Sequence, residues 1–145
     1  MQSFVYPATL TPATKDGGFV VRFVDFPEAI TQGESIQDAL QEAVDCLEEA
    51  VANRIVMDLP LPFPSTIQEE QYAITLPIQM AAKSSLYLAI KETGITKVEL
   101  AKKLGYDEKE VRRLLDPHHA SKIPRIESAL HAVGKQLVVG FQSVA

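Results

Sequence analysis

Apolar and polar positions alternate twice near the start of the chain. "FVYPATL" (4–10) sets Phe4, Tyr6 and Ala8 on one side of an extended segment, and "FVVRFVDF" (19–26) is rich in β-branched and aromatic residues. With the turn signal "KDGG" (15–18) between them, the two read as a hairpin, and Pro7 suits an edge position. "EAITQG" adds a short third strand ending at Gly33. The period then changes. Ile36, Ala39, Leu40, Ala43, Val44, Leu47, Ala50 and Val51 recur at three- and four-residue steps, which predicts one long amphipathic helix. Ser35 followed by Asp38 opens it with a capping pattern, and the opposite face carries Asp38, Glu42, Asp45, Glu48 and Glu49 or their near neighbours. A helix laid over a sheet is an α+β layer pair. "YAITLPI" alternates again and supplies a fourth strand at about 72–77.

The second half follows a helical period. "IQMAAKSSLYLAIKET" (78–93) ends at Gly94, a suitable C-cap. Thr96 with Glu99 and Asp107 with Glu110 are two further capping boxes, Ser121 stands where it could cap a last helix bearing Ile123, Ile126, Leu130 and Val133, and "KQLVVGF" has strand composition. Between the halves lies "DLPLPFPSTIQEEQ", in which Pro60, Pro62 and Pro64 forbid a helix and favour extended backbone. The expected organisation is therefore a domain over 1–58 completed by the fourth strand, a Pro-rich linker over 59–71, and a helical domain over 78–145.

Two short helices, 97–104 and 108–116, meet at Gly105 and Tyr106 in the arrangement of a helix-turn-helix of the repressor/Cro-like type. Ala101 is small where the helices cross, and Gly105 allows a left-handed turn. With Leu100, Leu104, Val111, Leu114 and Leu115 inside, the second helix turns Lys109, Arg112, Arg113 and Asp116 outward. A basic stripe on a second helix suits a major groove, where Arg and Lys neutralise phosphates and reach guanine edges. Ser121 and Lys122, beyond Pro117, are placed for phosphate contact. A simple αα-hairpin whose charges only solvate its surface is the competing reading, and Glu108 and Glu110 speak for it because they would repel phosphates.

Charge sharpens the division. The chain has 145 residues and a formal net charge of −5, but residues 1–76 carry −9 and residues 77–145 carry +4. Such asymmetry points to two modules with different partners. No segment is long and apolar enough for a membrane span and the N-terminus lacks a signal-peptide pattern, so a cytoplasmic location is expected, with no membrane partner. The lone Cys46 stands in an acidic helical context and reads as an inert boundary residue. His118 and His119 are adjacent and lack ligand-spaced companions, and no phosphate loop or nucleophile elbow is present. No catalytic residue, metal or cofactor is expected. Asp25 with Glu28 as a Mg²⁺ nuclease pair is a weaker alternative, since the acids form a broad negative surface.

The run "YPATLTPATKDGGFVVRFVDFPEAITQGESIQDALQEAVDCLEEAV", the proline-broken segment after it, and "ELAKKLGYDEKEVRRLLDPHHASKI" resemble the HicB antitoxins of the HicA–HicB toxin–antitoxin class over nearly the whole chain. The resemblance implies an N-terminal domain with a partial, catalytically degenerate RNase H-like fold that binds and masks a small basic mRNA-cleaving HicA-type toxin. It also implies a C-terminal DNA-binding domain that represses the operon. The toxin contact is placed at Phe23, Asp25, Phe26, Glu28 and Glu34. Some members of the family carry a ribbon-helix-helix module instead, so the DNA-binding details follow only those with the "LAKKLG…VRRLL" pattern. One helix-turn-helix buries too little surface for specific binding, and "KQLVVGFQSV" is an apolar strand edge in need of a partner, so at least a homodimer is expected. The alternative function is a stand-alone helix-turn-helix regulator whose N-terminal domain senses a small molecule.

Overall fold

The structure is a computed structural model describing residues 1–15 and 17–144, so Asp16 of the expected "KDGG" turn lies outside the described residues. The chain divides into two compact units, Met1–Ala81 and Ala82–Ala145.

Unit 1 is an antiparallel sheet with one helix across it. Strands β1 (Val5–Pro12), β2 (Phe19–Phe23), β3 (Ile30–Gly33) and β4 (Tyr72–Thr75) lie in the order β3-β2-β1-β4. The register sets Ala8 opposite Phe23, Leu10 opposite Val21 and Tyr6 opposite Ile74. Because side chains alternate across a strand, these residues share one face, and Tyr6, Ala8, Val21, Phe23 and Ile74 are buried there. Helix α1 (Ile36–Val56) covers the sheet and buries Ala39, Ala43, Leu47, Val51, Ala52 and Ile55. Each large side chain so buried contributes on the order of 2 kcal/mol, whereas an exposed ion pair contributes at most about 1 kcal/mol. The apolar layer, and not the acidic rim, holds this unit together.

The start of α1 follows the sequence closely. The Ser35 side chain accepts from the Asp38 N–H at 3.0 Å, and the Asp38 carboxylate accepts from the Glu34 N–H at 2.8 Å, so two donors are satisfied reciprocally. Gly33 lies so close to the helix that a Cβ there would sit 2.3 Å from the Ala39 nitrogen. Only glycine lets the end of β3 meet α1.

The Pro-rich segment is not a free connector. Leu61 is buried, the Tyr6 hydroxyl donates to the Pro62 carbonyl at 2.7 Å, and Arg54 Nη1 donates to the Pro60 carbonyl at 3.0 Å. Ser65 donates to the Asp25 carboxylate through both its N–H and its hydroxyl. The segment is thus fastened along the body of unit 1.

Unit 2 is helical. It contains most of α2 (Ile78–Thr93), whose first turn includes the division between units, then α3 (Lys97–Leu104), α4 (Glu108–Leu115) and α5 (Ile123–Ala132). Its core joins Leu86 and Ala89 of α2, Leu114 of α4, and Ile126, Ala129 and Leu130 of α5, with a second cluster of Leu100, Ala101 and Val111 between α3 and α4. Residues 135–144 form no helix or strand within the chain, and Val138, Val139, Phe141 and Val144 are exposed there. The composition that predicts a terminal strand is present, but a ladder needs a partner strand, and among the described residues none pairs with this segment. Among the described residues no helix is long and apolar enough to cross a membrane.

Candidate nucleic-acid interface and partner face

In unit 2 the local chemistry of the turn fixes the geometry of the basic helix. Thr96 caps α3 by accepting from the Glu99 N–H at 3.1 Å. Gly105 ends that helix in the left-handed region at φ 69°, where its N–H reaches the Ala101 and Lys102 carbonyls. Asp107 then caps α4 by accepting from the Glu110 N–H at 2.8 Å. Val111 and Leu114 face inward, so Lys109, Arg112 and Arg113 are left exposed on the other side.

The two glutamates that argue against nucleic acid are both engaged. Glu110 lies 3.7 Å from Arg125, whose guanidinium also covers the Tyr106 ring at 4.9 Å. Glu108 lies 3.7 Å from Arg112 one turn along the helix, with both side chains more than half exposed, so a phosphate could displace it at little cost.

The remaining expected contacts are distributed unevenly. Lys122 is exposed at the N-cap of α5. The Asp116 carboxylate accepts from the His118 N–H at 2.9 Å and so shapes the turn after α4. Ser121 faces inward: its hydroxyl accepts from Lys83 Nζ at 2.9 Å and donates to the Arg113 carbonyl at 3.4 Å. It does not cap the last helix, as its position in sequence predicts. Lys122 is the N-cap, without a side-chain cap bond, and Pro124 in the first turn removes one donor that a cap would have to satisfy.

Lys83 is the feature that sequence reasoning missed. Its side chain is 1% exposed, and its ammonium reaches the carbonyls of Arg113, Leu114 and Asp116 at 2.9, 3.1 and 2.8 Å besides the Ser121 hydroxyl. Burial pushes its pKa down to about 8, with the Asp116 carboxylate opposing the shift. The signal was available: Lys83 stands between Met80 and Leu86 at three-residue steps, on the stripe that α2 buries.

In unit 1 the acidic and aromatic residues expected to meet a partner form a clasp. Phe23 and Phe26 are 4% and 0% exposed and belong to the core. Phe26 meets the Tyr6 ring edge-on at 5.0 Å and lies under the Arg54 guanidinium at 4.8 Å. Arg54 in turn grips both Glu28 oxygens at 2.7 and 2.8 Å, and this pairing holds the Glu28 carboxyl below its usual range. Burial, aided by Asp25, pushes the Tyr6 hydroxyl well above its ordinary value, so it stays a donor to Pro62. The structure thus unites Asp25, Phe26 and Glu28 with Tyr6, Arg54 and the Pro-rich segment. Glu34 lies instead at the start of α1, exposed.

Beside this clasp runs a short apolar strip. Val56, Met57, Leu59 and Phe63 are 41–61% exposed, and they flank Pro60, whose carbonyl is tied to the same Arg54 that holds Glu28. Cys46 is half-buried, and burial pushes its thiol upward, away from reactivity. Among the described residues no group of three or more His, Cys, Asp and Glu side chains is placed to hold a metal ion.

Residues 5–85 match the family described as HicB_like antitoxin of bacterial toxin-antitoxin system. The chain belongs to this family. The curated relatives extend the likeness beyond unit 1. Antitoxin HicB of Escherichia coli strain K12 is 40% identical over 132 residues, covering 91% of this chain and 95% of its own length. Antitoxin HicB 1 of Photorhabdus laumondii subsp. laumondii is 32% identical over 94% of this chain and 86% of its own, and Antitoxin HicB of Pseudomonas fluorescens is 29% identical over 97% of both. An antitoxin role follows from the family, and the α+β sheet-plus-helix unit joined to a helical unit agrees with the fold expected from the residues.

Proposed function

We propose that the chain neutralises a small basic HicA-type mRNA-cleaving toxin through unit 1 and, as a homodimer, binds operator DNA through unit 2 to repress its own operon. It acts by binding and not by catalysis. The observation that carries the DNA half is the exposed row of Lys109, Arg112 and Arg113 on a helix fixed by the left-handed Gly105 turn and by the Asp107 cap. Dimerisation supplies the second half-site such a module needs, and the exposed residues 138–144 give a second copy an apolar edge to cover. A protein that occupies DNA in this way resides in the cytoplasm.

The toxin half rests on family membership and on charge. Unit 1 carries −9, which attracts a cationic RNA-binding surface and speeds encounter. Glu28 and Glu34 remain exposed to such a partner, and the strip of Val56, Met57, Leu59 and Phe63 next to Glu28 has the makings of an interface core with an acidic rim. Phe23 and Phe26 support that face from inside the unit.

The test is co-expression with the product of the adjacent reading frame, combined with binding to DNA upstream of the gene. A small basic protein that co-purifies and whose RNA cleavage stops is the expected result. Failure to capture any such protein sinks the toxin half, and equal affinity for upstream and unrelated DNA sinks the operator half.

A further inference from the structure

Helix α4 ends without the device that ends α3. Gly105 closes α3 by turning left-handed, but α4 runs into Asp116, in extended conformation, and Pro117, which has no N–H to offer. The last carbonyls of a helix carry partial negative charge and need donors. Backbone N–H groups reach two of them, Asp116 N–H to the Arg113 carbonyl and His119 N–H to that of Asp116, and one buried nitrogen joins these to the Leu114 carbonyl. Lys83 Nζ lies 2.8–3.1 Å from three carbonyls, those of Arg113, Leu114 and Asp116, and 2.9 Å from the Ser121 hydroxyl. An ammonium has three hydrogens for these four acceptors, so every one is used.

The placement matters more than the stability gained. A lone cation at 1% exposure carries a desolvation cost that an apolar side chain would avoid. What the cation does, and an apolar residue could not, is tie the backbone at Arg113 to the loop 117–122. Ser121 completes the tie by donating to the same Arg113 carbonyl. The exposed side chains of Arg113 and Lys122 therefore grow from backbone held by a common centre.

We infer that Lys83 is a positioning residue for DNA recognition, its buried ammonium setting the pose of Arg113 and Lys122 against the duplex. The inference rests on the operator-binding reading of unit 2. Phosphate attraction tolerates a loosened loop, because it depends on charge more than on register, but base readout does not.

The experiment uses the full chain with Lys83→Met, titrated against a duplex carrying its own upstream region and against an unrelated duplex of the same length. Expected is a loss of about tenfold or more for the upstream duplex, a change within about threefold for the unrelated one, and faster amide exchange at 117–122 with α3 unchanged. Wild-type discrimination in the variant overturns the inference. Should Lys83→Met fail to fold, Ser121→Ala decides: loss of the tie lowers affinity for the upstream duplex alone and speeds amide exchange at 117–122, whereas loss of a direct phosphate contact lowers affinity for both duplexes alike and leaves that exchange unchanged. Unchanged affinity, or an equal loss on both duplexes, overturns the inference. A wild-type chain that does not distinguish the two duplexes overturns the operator reading together with this one. That result is recognisable because in the other failures the wild type discriminates.

Discussion

The two units treat an internal cation in opposite ways. In unit 1, Arg54 meets a carboxylate: it grips Glu28 with two hydrogen bonds, rests on Phe26 and keeps contact with water, its side chain 19% exposed and that of Glu28 45%. In unit 2, Lys83 is closed off from water and meets three carbonyls and a hydroxyl. The first arrangement is a half-solvated ion pair, stabilising but screened. The second pays desolvation and returns it as fixed geometry. An acidic unit thus uses one of its few cations to hold a strap in place, while a basic unit uses one of its many to gather the carbonyls at the end of a helix, and surface charge predicts neither.

The largest effect that would test this contrast is in the cores beneath it. Leu86→Ala removes a fully buried side chain of unit 2 and is expected to cost about 3 kcal/mol. Amide exchange should rise throughout unit 2 and stay unchanged in unit 1; a joint loss of protection would mean that the two are one cooperative body. Gly33→Ala makes the reciprocal case. Its Cβ would press on the Ala39 backbone, and roughly 2 kcal/mol of unit 1 stability should be lost while unit 2 keeps its midpoint in denaturant.

Arg54→Ala cuts the Glu28 pair, the Pro60 bond and the cover over Phe26 at once, with an expected cost of about 1.5 kcal/mol. Proteolysis within 59–66 should accelerate, and DNA binding should be unaffected. Phe63→Ala leaves the fold intact and is expected to weaken toxin capture by about 1–2 kcal/mol without changing operator affinity. Equal toxin affinity in wild type and variant would remove the strip from the interface.

The pH effects separate the two cations by sign. Glu28 has a lowered pKa in the fold, so its contribution is present above its ordinary value of 4.5 and is lost as pH falls through that value and below. Arg54→Ala should flatten the acid limb of unit 1 unfolding. Lys83 is a base with a lowered pKa, so between about 8 and 10.5 the unfolded chain holds a proton that the folded chain has released. Unit 2 should therefore gain stability as pH rises across that window, and Lys83→Met should lose the gain.

Local chemistry explains which parts were readable beforehand. The Ser35 and Asp38 box, the Gly33 stop before it and the Gly105 turn all act within a few residues, so their consequences follow from spacing alone. The shared interior of α3 and α4 follows from the same logic. The strap does not: Tyr6 and Pro62 stand 56 residues apart, and nothing in "DLPLPFPS" announces where its carbonyls go. For the same reason Phe23 and Phe26 read as partner contacts when they are core, since an aromatic residue near a strand end is equally suited to either. Residues 135–144 fail differently: their composition suits a strand, but among the described residues no strand pairs with them.

Lys83 also has a chemical consequence of its own. A neutral amine acylates and an ammonium does not, and no reagent reaches Lys83 in the closed fold, so its acylation requires the site to open. Its labelling rate with an amine-selective reagent therefore counts the moments when the end of α4 lets go. Followed by mass spectrometry with and without DNA, that one acylation would serve as a clock for opening at the end of α4.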